Sequence, residues 1–398
     1  MPDGHEPIAV KVLSRVAEVP AAQWDACAGA ASPFVRHAFL DALEASGSAV
    51  RETGWLPQHL AIEGEDGRLV GAAPLYLKGH SYGEYVFDWS WANAYERAGG
   101  NYYPKLQSCV PFTPVTGPRL LIRPDVDRET ITSALIAGMA ELAYRHDVSS
   151  LHITFPLEAE WRRFGEAGLQ QRIGLQYHWE NAGYESFDDF LGALASRKRK
   201  AIRRERAKAL ESGLTIRTLV GDEVKAEHWD AFYRFYVSTS DRKWGSAYLT
   251  RAFFDHLGQA MPGAVVLVIA EEEGKPVAGA LNLMGGGTLY GRNWGAVRRH
   301  KFLHFELCYY RAIDFAIAQG LGRVEAGAQG EHKIQRGYLP SETYSAHLIR
   351  DGGLREAVDQ FLRQERAMID HEKAALAELS PFRKPPVCTA GLEGREGA

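Results

Sequence analysis

The chain has 398 residues, of which 45% are hydrophobic and 24% charged, and its formal net charge is −4. This is ordinary globular composition, and the length predicts two domains with hydrophobic cores of their own. The nearly balanced charge excludes a protein-wide positive field that would attract nucleic acid or an anionic membrane, so any basic surface must be local.

Targeting and redox signals indicate a soluble protein. The first ten residues carry acidic side chains and no apolar segment, which argues against a signal peptide. The longest uncharged stretches, such as residues 257–270, are shorter than a membrane-spanning helix. The four cysteines lie far apart and lack the spacing of zinc ligands. We therefore expect a cytoplasmic protein with free thiols, no bound cofactor and no metal site.

An internal repeat is the first feature along the chain. A helix near residues 39–43 precedes a hairpin at 59–77, whose turn contains Gly67. A helix near 253–257 and a hairpin at 267–283 resemble them at offsets of 214 and 207 residues. This correspondence indicates a duplication, with coincidence as the alternative.

Helices and strands alternate after each hairpin. The predicted elements are a helix at 128–146, a strand at 150–155, a short helix at 158–168 and a strand at 173–179, then a strand at 288–294, a helix at 304–319 and strands at 323–328 and 343–349. Such alternation after an antiparallel hairpin predicts mixed sheets with helices on their faces. The expected fold class is α/β with mixed sheets, arranged as two tandem units.

Four segments make up the predicted organisation. They are an N-terminal unit at 1–182, a basic connecting helix at 183–213, a C-terminal unit at 214–380 that carries the site, and a disordered tail at 381–398. One helix is expected at 186–213, ending at a C-cap glycine, and a long polar helix at 353–380.

The connecting helix concentrates positive charge. Residues 197–208 contain eight basic side chains and one acid, Glu205, so the rest of the chain carries a net charge of −11. On this helix, Arg199 and Arg203 are expected to contact the phosphates of a nucleotide-bearing donor or of tRNA. The alternative is a solvated basic helix that packs against the acidic remainder.

A polar, glycine-rich loop at 327–333 is the predicted centre of the site. It follows a strand directly, and ligands collect at the carboxyl ends of strands in open α/β sheets. Glu331 and His332 are suited to proton transfer, and Lys333 with Arg336 is suited to an anionic group. The alternative is a turn whose charged groups face water.

A buried carboxylate is the other candidate general base. Glu325 lies within the strand before the loop, where burial would raise its pKa. Pairing of Glu325 with Arg323 or Arg292 is the alternative.

Further polar and aromatic groups surround this loop. Trp294 and Tyr309 are also suited to packing, and His304 to capping its helix. The chain has no serine-hydrolase elbow, Walker A loop or dinucleotide-binding fingerprint. The residues expected to bind substrate are Arg292, Asn293, Trp294, His304, Tyr309, Gln329, Arg336 and Tyr338.

Several strings in both halves resemble one family. They are YYPKLQ at 102–107, PFTPVTG at 111–117, YGRNWG at 290–295, YYRAIDFAI at 309–317, EAGAQGEHK at 325–333, RGYLP at 336–340 and SAH at 345–347. Together they resemble the FemAB-like, peptidoglycan biosynthesis/recognition group of predicted N-acyltransferases. The resemblance covers most of the chain and implies two tandem GNAT folds, which agrees with the internal repeat.

The resemblance also implies a donor, although one motif departs from the GNAT pattern. GNAT enzymes hold the donor pyrophosphate in a glycine-rich loop, which would fall at 298–303, where this chain has no glycine. Donor phosphates would then contact the side chains of Arg298, Arg299 and Lys301. Fem-type enzymes, which use aminoacyl-tRNA, also lack that loop. Acyl-CoA and aminoacyl-tRNA are both expected as candidate donor substrates.

The leading functional hypothesis is an acyl or aminoacyl transferase. An amine of a small molecule or peptide, deprotonated by Glu325 or by Glu331 and His332, would attack the donor carbonyl, and Lys333 or Arg336 would stabilise the oxyanion. Cell-wall precursor metabolism is the expected setting. The alternatives are a non-catalytic module that binds such a precursor or another anionic ligand, and an RNA-binding protein that acts through the basic helix.

Overall fold

The computed structural model of the chain describes residues 8–211, 213–243, 247–328 and 330–383, with the backbone alone at 241–243. The strands are β1 (Val10–Leu13), β2 (Trp55–Pro57), β3 (His59–Glu63), β4 (Leu69–Ala73), β5 (Tyr76–Lys78), β6 (Lys105–Ser108), β7 (Leu121–Ile122), β8 (Ser150–Thr154), β9 (Gln170–Glu180), β10 (Leu214–Val220), β11 (Val265–Glu272), β12 (Lys275–Gly285), β13 (Thr288–Ala296), β14 (Arg323–Glu325) and β15 (Leu339–Ile349). The α-helices are α1 (Ala21–Ala28), α2 (His37–Ala45), α3 (Trp89–Arg97), α4 (Arg128–Arg145), α5 (Glu158–Glu166), α6 (Phe187–Ala193), α7 (Ser196–Leu210), α8 (Ala226–Lys243), α9 (Arg251–Ala260), α10 (Leu303–Phe305), α11 (Arg311–Ala318) and α12 (Gly352–Glu378).

Eleven strands form one long mixed sheet. Their order is β10-β11-β12-β13-β14-β9-β15-β8-β6-β5-β2, and β1-β3-β4-β7 form a smaller antiparallel sheet. The parallel pairs in the long sheet are β13 with β14 and β6 with β8, at corresponding places in the two halves. The mixed α/β fold is confirmed, and the repeat extends beyond the hairpins that revealed it.

The last strand of each half is exchanged with the other half. β9 pairs with β14, whereas β15 pairs with β8. β9 and β15 also pair with each other at nine residue positions. The sheet is therefore continuous across residue 182, and the division into units at that point stays a prediction.

Helices cover both faces of the long sheet. On one face α2 packs against its counterpart α9, with the rings of Phe39 and Phe253 5.7 Å apart. On the other face α11 packs on Leu289 and Val324. Because side chains alternate along a strand, Tyr290 and Glu325 face the α2–α9 side. No helix within the described residues combines the length and apolarity needed to cross a membrane.

Side-chain caps explain where several helices begin. An oxygen on the residue before the helix accepts a backbone N–H bond and satisfies one free donor of the first turn. The capping residues of α4, α6, α9 and α12 are Asp127, Ser186, Thr250 and Asp351. The hairpins and the helices predicted at 128–146 and 353–380 are confirmed, whereas the strand predicted at 323–328 ends at Glu325.

The prediction of a single helix at 186–213 is wrong. The chain forms α6 and α7, separated by an extended, fully buried Leu194. The carboxyl-terminal segment causes the break, because Ala195 N–H donates to Pro381 O at 2.9 Å and Leu194 bridges to Phe382. A tertiary contact thus overrides good helix propensity.

The same contact corrects the start of the predicted tail. Residues 381–383 are ordered against α6, and Arg383 N–H donates to Ala193 O at 3.0 Å. Residues 384–398 lie outside the described part of the chain.

Candidate functional site

A gap opens in the long sheet between β13 and β14. The two strands pair in parallel from Thr288–Arg323 to Tyr290–Glu325, after which β14 ends and β13 continues to Ala296. A β-bulge adds a residue to β13, because Leu281 faces Asn293 and Asn282 faces Gly291, leaving Arg292 between them. Bulges bend a strand and redirect its side chains. The sequence therefore builds an opening at the carboxyl end of the paired strands.

A first cavity of about 390 Å³ fills this opening. Its walls come from β13, from the helical segment that begins at α10, from the loop after β14, from α8 and from residues 81–89 of the first half. Among the predicted site residues, those on its lining are Arg292, Asn293, Trp294, His304, Tyr309, His332 and Lys333.

A second cavity of about 850 Å³ adjoins the first. The two share Tyr85, Phe87, Ala328 and His332 as lining residues. The second lies among β9, β15 and α12, and Glu331 belongs to its wall instead of the first cavity's. The predicted polar loop therefore stands where two cavities meet.

His332 occupies this junction in a defined orientation. Its Nε2 lies 2.9 Å from the Tyr309 hydroxyl oxygen. Its ring rests on Gly330, where an added Cβ would come within 2.5 Å of the imidazole and the φ of +116° also disfavours other residues. Gly330 thus permits the close approach that aims His332 at both cavities.

A π-helical segment, Glu306–Tyr310, presents Tyr309 to the cavity. π-Helical segments are rare in proteins as a whole, but those that occur are frequently found at functional sites. Arg206 of α7 holds it in place, donating to the buried Glu306 at 3.1 Å and to Asp314 at 2.5 Å. The basic helix α7 therefore supports the site from behind.

Lys333 reaches the first cavity as a buried cation. Its side chain is 2% exposed, and its Nζ donates to Gly327 O at 2.8 Å. Burial lowers the pKa of Lys333 to about 8. Such a group supplies a positive charge in a water-poor site and also titrates near neutral pH.

Glu325 does not line either cavity. Its carboxylate is buried and lies 3.8 Å from His178 Nε2, and burial raises the pKa of Glu325 to about 7. The raised pKa that the sequence predicts is confirmed. The access to substrate that a general base needs is missing, because Glu325 stays behind the wall of the gap.

Two residues predicted to bind substrate have structural partners instead. Arg336 donates twice to Glu205 of α7 at 2.9 Å, and its guanidinium stacks 3.5 Å from the Phe305 ring centroid. Tyr338 is fully buried and donates to Tyr309 O at 3.1 Å. Neither lines a cavity, so both position the loop and the π-helical segment.

The residues predicted to bind donor phosphates lie outside the cavities. Arg298, Arg299 and Lys301 are exposed on the loop between Trp294 and His304, which both line the first cavity. On α7, Arg203 pairs with Asp188 at 2.9 Å, and neither it nor Arg199 lines a cavity. Gln329 lies outside the described residues.

The sequence interpretation missed an entire wall. Residues 81–89, from the first half, contribute six lining residues to the first cavity, and α8 adds Tyr236. Residues 82–118 are rich in Tyr, Trp and Pro, which marks this stretch as unusual, although nothing local connects it to a loop more than 200 residues away.

Comparisons with known proteins agree with this fold. A profile of the FemAB-like family, described as peptidoglycan biosynthesis/recognition, matches residues 15–384. FemX is 13% identical, with 86% of this chain and 98% of FemX covered and a TM-score of 0.54. The C-terminal domain of a putative lysylphosphatidylglycerol synthetase from Agrobacterium fabrum is 10% identical, with 86% and 95% covered and a TM-score of 0.52. L-PGS from Bacillus licheniformis is 10% identical, with 81% and 95% covered and a TM-score of 0.50.

The chain belongs to the FemAB-like family. Its two halves, each with a hairpin, a parallel strand pair and an exchanged last strand, are the tandem GNAT-like units that the resemblance implies. What the solved structures share with this chain is the fold. No curated protein matches the sequence.

Proposed function

We propose that the protein transfers an acyl or aminoacyl group from an activated donor to an amine. The observation that carries this proposal is the meeting of two cavities at His332, with the buried Lys333 beside it. A transferase must bring two substrates together at one point, and here the first cavity would hold the acyl arm and the second the amine. The family and the fold shared with FemX support the assignment.

The residues divide the chemistry between them. The amine nitrogen attacks the donor carbonyl carbon, and His332 Nδ1 takes its proton while Nε2–H donates to the Tyr309 oxygen. The Lys333 ammonium stabilises the negative charge that develops on the carbonyl oxygen. When the bond to the leaving group breaks, the proton held by His332 neutralises the departing oxygen or sulfur. Glu325 has no part in this scheme because it is sealed behind the wall.

The donor is proposed from the charges at the edge of the first cavity. The exposed Arg298, Arg299 and Lys301 follow the last cavity residue of β13 and are suited to phosphates. Both acyl-CoA and aminoacyl-tRNA carry phosphates next to an adenosine, so both fit this edge. The family description favours an acceptor from cell-wall precursor metabolism.

A transfer assay tests the proposal. Purified protein would receive acyl-CoA and aminoacyl-tRNA donors with amine acceptors that include cell-wall precursor peptides, and products would be detected by mass spectrometry. We expect transfer with one donor class, and His332→Asn and Lys333→Met should each lower kcat/KM at least about tenfold.

His146→Asn is the matched control. Like His332, His146 is exposed; its Nε2 lies 2.8 Å from Gln58 Oε1, and it lines neither of the two cavities. Unchanged transfer in both site variants would refute the residue assignment. Tight ligand binding without transfer to any amine would instead favour the binding-module alternative.

A further inference from the structure

A buried cluster of charged residues lies in the first half, away from His332 and Lys333. Lys78 and Lys105 are directly opposite each other on β5 and β6, and both are fully buried. Like charges in this arrangement repel, so the fold must neutralise them. The two carboxylates that do so, Glu84 and Asp88, come from residues 81–89, the segment that forms one wall of the first cavity.

Lys105 binds this wall at three points. Its Nζ donates to Ser81 Oγ at 2.8 Å, to Glu84 Oε2 at 2.7 Å and to Asp88 Oδ2 at 2.5 Å. Lys78 adds a fourth point by donating to Tyr82 O at 3.2 Å. The wall has no regular secondary structure between β5 and α3, so these side-chain bonds take the place of a backbone ladder.

A second set of bonds leads from Asp88 to the other cavity. Tyr102 Oη donates to Asp88 at 2.8 Å and lies 3.2 Å from His152 Nε2. His152 Nδ1 lies 2.7 Å from His347 Nδ1, and His347 Nε2 lies 2.9 Å from Ser345 Oγ. Ser345 lines the second cavity, whereas Ser81 lines the first. One buried polar network therefore touches the walls of both.

Stability alone is a poor explanation for such a network. Well-packed apolar residues of similar volume often replace buried ion pairs without loss of stability, because the pairs must be desolvated. Polar networks are better suited to selecting one conformation. Glu84 and Asp88 also each retain one oxygen without a hydrogen bond within the described structure. Such buried, unsatisfied oxygens lower the stability of the fold, so a role other than stability accounts better for the network.

We propose that Lys105 is a positioning residue of the transfer site, holding residues 81–89 in the conformation that shapes the junction of the two cavities. This inference rests on the proposed function for its catalytic consequence, but the positioning itself does not depend on it. It also gives a role to the string YYPKLQ at 102–107, which contains both Lys105 and Tyr102 and has no place in the chemistry of His332 and Lys333.

Amide hydrogen exchange on the full chain tests the positioning. In Lys105→Met, exchange within residues 81–89 should become at least about tenfold faster, because the side-chain bonds of Lys105 hold this segment together with a backbone bond, from Phe112 N–H to Gly83 O at 3.0 Å. Glu160→Gln is the matched control, since Glu160, like Lys105, is a buried ionisable side chain that anchors an irregular segment, and the N–H groups that donate to it belong to Arg119 and Leu120, outside 81–89. The control should leave exchange in 81–89 unchanged.

Steady-state kinetics test the consequence. The donor KM should rise about tenfold or more in Lys105→Met while kcat changes less than about threefold, which general destabilisation would not produce. If Lys105→Met does not fold, Asp88→Asn removes one link with little change of shape and should show the same split. Wild-type exchange rates in 81–89 and an unchanged donor KM in the folded variant would overturn the inference. If exchange in 81–89 is faster in Lys105→Met but the wild-type protein transfers no group to any acceptor, the positioning stands and the proposed function is overturned.

Discussion

Among ionisable residues in one polar stretch, burial and access decide their roles. Glu325 and Lys333 are both buried, and burial moves the pKa of each towards neutrality. Only Lys333 reaches the first cavity, whereas Glu325 is closed off beside His178. The sequence correctly predicts the raised pKa of Glu325. It does not predict which way the side chain points, because that depends on the bulge in β13 and on where the pairing of β13 with β14 ends.

The pKa of Lys333 predicts the alkaline limb of the activity profile. If its ammonium stabilises the oxyanion, the active fraction falls as pH rises through about 8, because burial has lowered the pKa from the ordinary value of 10.5. Transfer should therefore decline above about pH 8, as measured by kcat/KM against pH with a donor that is stable over that range.

Lys333→Arg provides the check on this assignment. A guanidinium stays charged far above pH 8, so the alkaline decline should disappear even if the absolute rate is lower. A decline at the same pH in the arginine variant would assign the limb to another group.

At the scale of elements, β13 connects packing to the site. Its residues 291–294 line the first cavity, and Gly295 follows directly. A Cβ on Gly295 would lie 2.2 Å from the backbone carbonyl of Phe235 on α8, closer than any real contact. This glycine therefore sets how closely α8, with its cavity residue Tyr236, approaches the strand.

Gly295→Ala should destabilise the protein by about 1–3 kcal/mol, the usual cost of overpacking a core. Gly263→Ala is the matched control, because its added Cβ meets nothing within 4 Å and its φ is unstrained. Denaturant unfolding should show a change within about 0.5 kcal/mol for the control. Equal stability of the two variants would contradict the packing argument.

The helices and hairpins were more predictable from the sequence than the points at which helices break or change type. The hairpins and long helices follow from periodicity and caps, which are local. The break at Leu194 does not, because the nearby Gly192 lies inside α6 and the break itself coincides with a strand-like contact with Phe382. The π-helical segment is likewise fixed by Arg206, about 100 residues away.

At the scale of the whole molecule, the strand exchange joins the two halves. β9 lies between β14 and β15, and β15 lies between β9 and β8, so each half completes the sheet of the other. The cavity follows the same plan, with one wall from residues 81–89 and the others from the second half. The duplication therefore produced one site from two units at this gap.

The corresponding gap in the first half is closed by its own chain. β6 and β8 pair in parallel, as β13 and β14 do. Beyond them Gly117 N–H donates to Phe155 O at 3.0 Å, and the buried Arg119 donates to Thr154 O at 2.9 Å. The string PFTPVTG at 111–117 leads into these contacts, so in the first half the chain itself fills the place that corresponds to the opening in the second.

Separating the halves should therefore prevent folding. Fragments 1–182 and 183–398, expressed alone, should each lack a cooperative unfolding transition, because β8 and β14 would lose their exchanged neighbours. Co-expression should restore a complex that unfolds cooperatively, as followed by circular dichroism. A cooperative transition in either fragment alone would show that the halves are independent domains.

The sequence by itself determined the alternation of elements, the tandem repeat, the family and the polar loop at the end of β14. These follow from local patterns, because periodicity, turn residues and motif strings span a few tens of residues at most. Only the tertiary structure decided that His332 and Lys333 face the cavities, that Arg336 and Tyr338 support the loop, and that the first half supplies a wall. Those outcomes depend on residues that are far apart in the sequence. They come together only in the folded chain, where β9 pairs with β14 and β15 pairs with β8.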